Sequence, residues 1–315
     1  MHMTTDIYFD KAIDLVIFTV VDEATIRSKV WDDDVISPAS VGKDSPSGLS
    51  LYVVTVPADT SIYPDASGKR VLPGGYLGRT ESLEQASRRI LEDRLGLTLR
   101  SKIRQLGIFD DPKRDPNDRV LSFAYWGMVN FEDIRKFLGG RERVGLELVN
   151  SQGYLEQFCG VTPADNPTER EAKLARLEAH DGVSRFGNRT MPNTRTGVGH
   201  HKSLTSKMAG GRILALDHDD MVFYAWRALR HAFDGRLDPF RYLGINPLGG
   251  EFRLSDLQEF TEICRGERVQ RDLFRRQMTG ENSYLRPTNN KDGSRPGKPA
   301  NLYSLQVPPA DGDLV

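Results

Sequence analysis

The chain has 315 residues, 43 Lys and Arg against 44 Asp and Glu, a formal net charge of -1 and 28% charged residues. That length allows one large or two ordinary domains, and a balanced charge leaves any affinity for nucleic acid or membrane to a local patch. Two widely separated cysteines, Cys159 and Cys264, exclude a disulfide framework and a CxxC zinc site, and no apolar run is long enough to span a bilayer, so a reducing cytoplasm is the expected location and no membrane is expected as partner.

In chain order, "IDLVIFTVV" from Ile13 and "LSLYVVTVP" from Leu49 are β-branched, apolar runs that predict buried strands, separated by the loop-like "DDDVISPASVGKDSPSG". "LPGGYLGRTESLEQASRRILEDRLGL", residues 72–97, predicts a glycine-rich turn and an amphipathic helix starting near Glu81 or Ser82. "KIRQLGIFDD" and "RVLSFAYWGMVN" predict two strands joined by the turn "PKRDPND", and "FEDIRKFLGG" a short helix ended by glycine. Strands around one internal helix and closed by later helices suggest an α/β/α sandwich with a mixed sheet.

Residues 150–212 interrupt this rhythm as a polar, partly flexible insertion. A helix is expected in "PTEREAKLARLEAH", with Thr168 and Glu171 as its capping box, followed by an acid-free tail. Adjacent His200 and His201 have no third ligand nearby and read as loop residues, so no metal is assigned. "LDHDDMVFYAWRALRHAF" from Leu216 predicts an amphipathic helix with Met221, Tyr224, Ala225, Ala228, Leu229 and Ala232 on its inner stripe.

Beyond a Gly- and Pro-rich junction, Ser255 and Gln258 are placed to cap a helix through Cys264, with Leu257, Phe260 and Ile263 or Cys264 inward. A second helix from about Val269 to Met278 would bury Val269, Leu273, Phe274 and Met278 and expose Arg271, Asp272 and Arg275, with Arg276 at the edge. Two strand-like pieces around "TNNKDGSRPGKPA" then look like a wing. Residues 265–298 hold nine Lys or Arg against four Asp or Glu, a basic patch suited to double-stranded DNA. Candidate DNA contacts are Gln270, Arg271, Asp272, Arg275, Arg276, Lys291, Arg295 and Lys298.

Read from Gly75, the first helix resembles the Nudix box, G-x5-E-x7-R-E-U-x-E-E-x-G-U, through Glu81, Arg89, Leu91, Gly96 and Leu97. With the basic winged helix and its "RPGKPANLY" segment, the chain is similar to the Nudix-related transcriptional regulators of NAD metabolism, the NrtR type. The resemblance implies a Nudix-like α/β/α domain over 8–235, a winged helix-turn-helix domain over 239–305 and a disordered tail over 306–315. It implies ADP-ribose or a related NAD metabolite as effector and genes of NAD metabolism as targets; a homodimer on a palindromic operator, acting as a repressor, is the expected working form, because one small winged helix buries little surface on DNA.

Departures from the box bear on the chemistry. Nudix hydrolases hold Mg²⁺ on the glutamates of R-E-U-x-E-E, and here those positions are Ile90, Asp93 and Arg94. One carboxylate beside a fixed positive charge holds Mg²⁺ poorly, so no enzymatic activity and no cofactor are expected. Arg94 could pair with Asp93. Gly74, Gly75, Glu81, Arg89, Asp93 and Arg94 are the candidate effector residues; Arg89 reads equally as a brace for Glu81, and Ile90 as core. The rival readings are an active pyrophosphatase of ADP-ribose-type substrates drawing carboxylates from Glu92 or "DDPKRDPND", and a regulator of the same architecture sensing a sugar.

Overall fold

The computed structural model describes residues 9–22, 24–26, 48–98, 103–139, 144–149, 214–234, 240, 248–280, 285–294 and 297–305, with scattered positions in 160–173. The expectations for 174–213, His200, His201, Cys159, Glu171, Arg295 and the 306–315 tail lie outside these residues, as do most of the junction at 235–247 and the loop at 32–47.

The first layer is a mixed sheet of β1 (Asp10–Asp22), β2 (Leu49–Pro57), β3 (Arg70–Val71), β4 (Gly74–Tyr76), β5 (Arg104–Phe109), β6 (Val120–Met128) and β7 (Gly145–Leu148). Its central order is β3-β2-β1-β6-β5, with β4 on β1 and β7 on β2. β1 and β6 run parallel, and the other pairs are antiparallel.

β1 reads as a continuous apolar run because both of its faces are covered. Ile13, Leu15 and Ile17 pack with Ala86, Ile90, Leu91 and Leu95 of α1 (Leu83–Leu95) and with Phe131 and Ile134 of α2 (Phe131–Ile134). On the opposite face Val16 and Phe18 pack with Met221, Val222, Ala225, Trp226 and Leu229 of α3 (His218–Asp234). The result is the expected α/β/α sandwich.

α3 departs from the expected single stripe. Val222, Phe223, Trp226 and Phe233 are buried as well, while Tyr224 and Ala228 are only partly covered. A helix buried over most of its circumference is packed on more than one side. Its second neighbour is α4 (Leu254–Arg265), where Phe233 and Phe240 meet Phe260 with ring centroids 6.0 and 6.3 Å apart. One apolar core therefore runs from the sheet into the C-terminal module.

That module contains β8 (Glu251–Arg253), α4, α5 (Arg271–Met278), β9 (Leu285–Asp292) and β10 (Ala300–Leu305), with β10 central in an antiparallel sheet. This is the winged helix arrangement expected from the sequence.

Two caps sit earlier than expected. The short helix near 168 is capped by Asn166 and Glu169, whose side chains each accept the other's backbone N–H. α4 begins at Leu254, so Ser255 lies inside it, and the Asp256 carboxylate accepts the Arg253 N–H. A shift of one or two residues is what pattern alone leaves open at a helix start.

Candidate functional site

Gly74 and Gly75, expected in a turn, lie in strand β4 beside β1, and the turn itself follows at 79–80. A Cβ on Gly74 would lie 2.3 Å from Asp14 Oδ1, so only glycine fits opposite that carboxylate. A Cβ on Gly75 would meet Ile90 Cγ1 at 3.4 Å. Ile90 is 1% exposed and belongs to the core between sheet and helix.

α1 starts at a full capping box, Ser82 with Gln85, and ends at Gly96 in the left-handed region. Two arginines of its outer face pair within the helix and its turn. Arg89 reaches both Glu81 oxygens at 2.6 and 2.9 Å and the Tyr76 carbonyl at 3.0 Å, and approaches Asp93 at 3.7 Å. Gly78 donates its N–H to Glu81 at 2.9 Å. The Arg89 contact and that N–H hold the Glu81 carboxyl down at about 2.

Asp93 lies one turn from Arg89 on the same face and pairs with it. Arg94 is exposed, and its charge helps lower the Asp59 carboxyl, which is held down chiefly by hydrogen bonds from Ser61. That places Arg94 by the 59–62 turn.

The box residues do not fit Mg²⁺. Ile90 is in the core, Arg94 is a cation, and Glu81 and Asp93 share one guanidinium. Among the described residues, no three His, Cys, Asp or Glu side chains gather as metal ligands would.

Two further groups beside the turn carry no motif. Tyr76, 51% exposed, shares a side-chain hydrogen bond with Tyr63, whose hydroxyl donates to Asp115 at 2.6 Å; Ile62, next to Tyr63, is 45% exposed. Burial, with the Asp115 and Asp10 carboxylates, pushes the Tyr76 phenol above its ordinary value. This aromatic corner was hidden because "GGYLG" reads as turn.

The second group lies beneath Gly74. Arg114 grips Asp217 bidentately, both bonds 2.9 Å, and reaches Asp14 at 3.4 Å; Ser122 donates to Asp14 at 2.5 Å. His218 Nδ1 accepts the Leu72 N–H at 3.0 Å, leaving Nε2 to face Asp14 at 3.7 Å. Burial alone would push Arg114 down, but Asp217 and Asp14 carry it above its ordinary value. The "PKRDPND" loop thus turns inward: Arg114 and Asp115 are buried structural residues.

In the C-terminal module, Gly266 ends α4 in the left-handed region, and Glu262 accepts from Gln258, Arg268 and the Val269 N–H, fixing the turn into α5. Glu267 in that turn pairs with Arg265 at 2.9 Å and with Arg230 of α3 at 3.1 Å.

Phe274 is the buried anchor of α5, and Leu273, expected inside, is 42% exposed. With Phe274 alone defining the inner side, Asp272 and Arg276 form the outer crown, flanked by Leu273 and Arg275. Arg276 is thus central rather than marginal. Gln270, the N-cap, makes no side-chain cap bond, and Gln270, Arg271, Asp272, Arg275 and Arg276 are all exposed. Among the described residues the three α5 arginines have no carboxylate partner. Lys291 and Lys298 are exposed on the wing. Arg253 bonds Ser294 at 2.6 Å and pairs with Asp292, which ties the wing to β8.

Residues 244–305 match the family model of the NrtR DNA-binding winged helix domain. No curated protein matches the chain by sequence. Among solved structures, the chain is similar to Shewanella oneidensis NrtR complexed with a 27mer DNA, at 19% identity over 94% of this chain and 93% of that one, with a TM-score of 0.52. A second structure of S. oneidensis NrtR gives 20% identity over 94% of each chain and 0.52. A MutT/nudix family protein from Enterococcus faecalis gives 15% identity over 97% and 90%, and 0.54. At these identities the likeness establishes the fold, a Nudix-like domain followed by a winged helix.

Proposed function

We propose that this chain, Nudix-like in its first domain and carrying an NrtR-type winged helix in its second, is a DNA-binding transcriptional regulator. Its domains are taken as 8–235 and 239–305. The observation that carries the reading is α5, whose three arginines are exposed and have no carboxylate partner among the described residues. Among the described residues arginines elsewhere are tied to carboxylates, as Arg89, Arg114 and Arg230 are, which leaves these available to guanine edges and phosphates. Gln270, Arg271, Asp272, Arg275 and Arg276 face the major groove, and Lys291, Arg295 and Lys298 follow the backbone. One such module covers little DNA, so a cytoplasmic homodimer on a palindromic operator is the working form.

The Nudix-like domain serves as a sensor without hydrolysis. Arg89 neutralises the carboxylates left on the box, and Ile90 closes the position where another would face a metal, so water activation is not provided for. Gly74 and Gly75 let β4 lie close to Asp14 and Ile90, Glu81, Arg89 and Asp93 brace the turn that follows, and Arg94 offers an exposed charge to a diphosphate. By the family resemblance the effector is ADP-ribose or a related metabolite, the controlled genes concern NAD metabolism, and the protein acts as a repressor. Effector control needs different affinities for DNA-competent and incompetent forms. Arg230–Glu267 and the phenylalanine cluster are the contacts through which α3 would transmit that preference.

The test is a duplex selected from a random pool with the full chain, its affinity then measured with and without ADP-ribose. A change in DNA affinity with no phosphate-containing products in Mg²⁺ supports the reading. Product release abolished by Asp93→Ala would establish the pyrophosphatase instead, and a thermal shift with simple sugars but not ADP-ribose would move the effector to that class.

A further inference from the structure

We propose that Leu273 reads the 5-methyl group of a thymine in each operator half-site. The inference rests on α5 as the DNA-facing helix and adds the one apolar element of its recognition. Among the described residues only three large apolar side chains are exposed, Ile62, Tyr76 and Leu273, and Leu273 alone lies in the winged helix. Phe274, at 1% exposure, fixes the rotation of α5, so Leu273 stands about 100° to one side of the anchor and Arg275 about 100° to the other.

The exposed side chains around it are otherwise charged or polar. Arg271, Arg275 and Arg276 are attracted to phosphates and guanine edges, whereas Asp272 only accepts, which suits an exocyclic amine. Leucine can do neither. Within the major groove the thymine methyl is the single apolar mark, and a leucine raised on an arginine-lined helix is the side chain that fits it. Leu273 is not part of the buried core, whose inner side on α5 is Phe274, with Val269 and Met278 packed against the same core.

The experiment takes the selected duplex and replaces each thymine of the half-site, one at a time, by uracil, which removes only the methyl. Affinities are read by fluorescence anisotropy at fixed salt for the native chain, Leu273→Ala and Leu273→Met. One position should weaken native binding by roughly threefold to fivefold per half-site, as expected for one methyl group returned to water. Leu273→Ala should be indifferent at that position, and Leu273→Met should restore most of the discrimination. Circular dichroism checks folding of both variants; should the alanine variant fail to fold, the native and methionine scans carry the test.

A uracil scan that is flat, or that affects native chain and alanine variant equally, overturns the inference alone. So does a loss of self-association by Leu273→Ala in sedimentation without any change in the scan, which would make the leucine a contact between copies. Failure to select any duplex would remove the underlying reading as well.

Discussion

α1 and α5 both present arginine-rich outer faces, yet the same side chain does opposite work on them. On α1, Arg88 pairs with Glu84 at 2.6 Å, and Arg89 spans Glu81 and Asp93, so two of its three arginines are tied to carboxylates of the helix and the turn before it. On α5, Arg271, Arg275 and Arg276 have no carboxylate partner among the described residues. Counting arginines would rank the helices alike. Pairing separates a brace from a surface that awaits an outside anion.

The strongest break of that comparison is to return a box carboxylate to α1. Ile90→Glu should not create a metal site; it should place an acid among Ile13, Leu15 and Leu91 and destabilise the chain by about 3–5 kcal/mol, as an unpaired buried charge does. Arg94→Glu, at an exposed position, should stay within about 0.5 kcal/mol. Urea unfolding of both variants checks the contrast, and equal costs would remove Ile90 from the core argument.

On α5 the expected loss is in binding rather than stability. Arg271→Ala with Arg275→Ala should weaken operator binding roughly thirtyfold or more, at about 1–3 kcal/mol per base-reading arginine, with an unchanged unfolding midpoint. Arg88→Ala on α1 serves as the matched control and should leave DNA affinity as it was. A smaller effect sharpens the role of Arg89. Its alanine variant frees Glu81 and the turn, and should raise the ADP-ribose concentration for half-maximal thermal shift by roughly threefold to tenfold.

The smallest effect is on acid stability. Glu81 is held at about 2 against an ordinary 4.5, so its folded form favours the carboxylate. Its contribution is fully present above pH 4.5 and is lost as pH falls toward 2. Glu81→Gln should flatten this part of the stability curve and leave its shape above pH 5 unchanged, as followed by urea midpoints across the range.

Much of the fold was legible because its signals are local. β1 and β2 announce themselves as apolar runs, Gly96 and Gly266 mark helix ends, and the basic stretch around α5 shows in the residue count. Rotation about a helix axis was less legible. Leu273 and Phe274 are equally apolar neighbours, and which one turns inward depends on the position of α4 and the wing sheet. α3 read as having one inner stripe because the winged helix that covers its other side is distant in sequence.

For the candidate site, the sequence by itself determined the box, its missing carboxylates and the unusual Arg94. Only the tertiary structure decided what stands around them: Ile90 filling the core against Gly75, Arg89 reaching Asp93, and the Asp14, Arg114, Asp217 and His218 network beneath Gly74. Those four residues lie on β1, on the β5–β6 loop and at the start of α3, and each alone reads as an ordinary polar side chain. Burial turns them into a network, because charges withdrawn from water persist only where the fold supplies partners, and partners are chosen in space rather than along the chain.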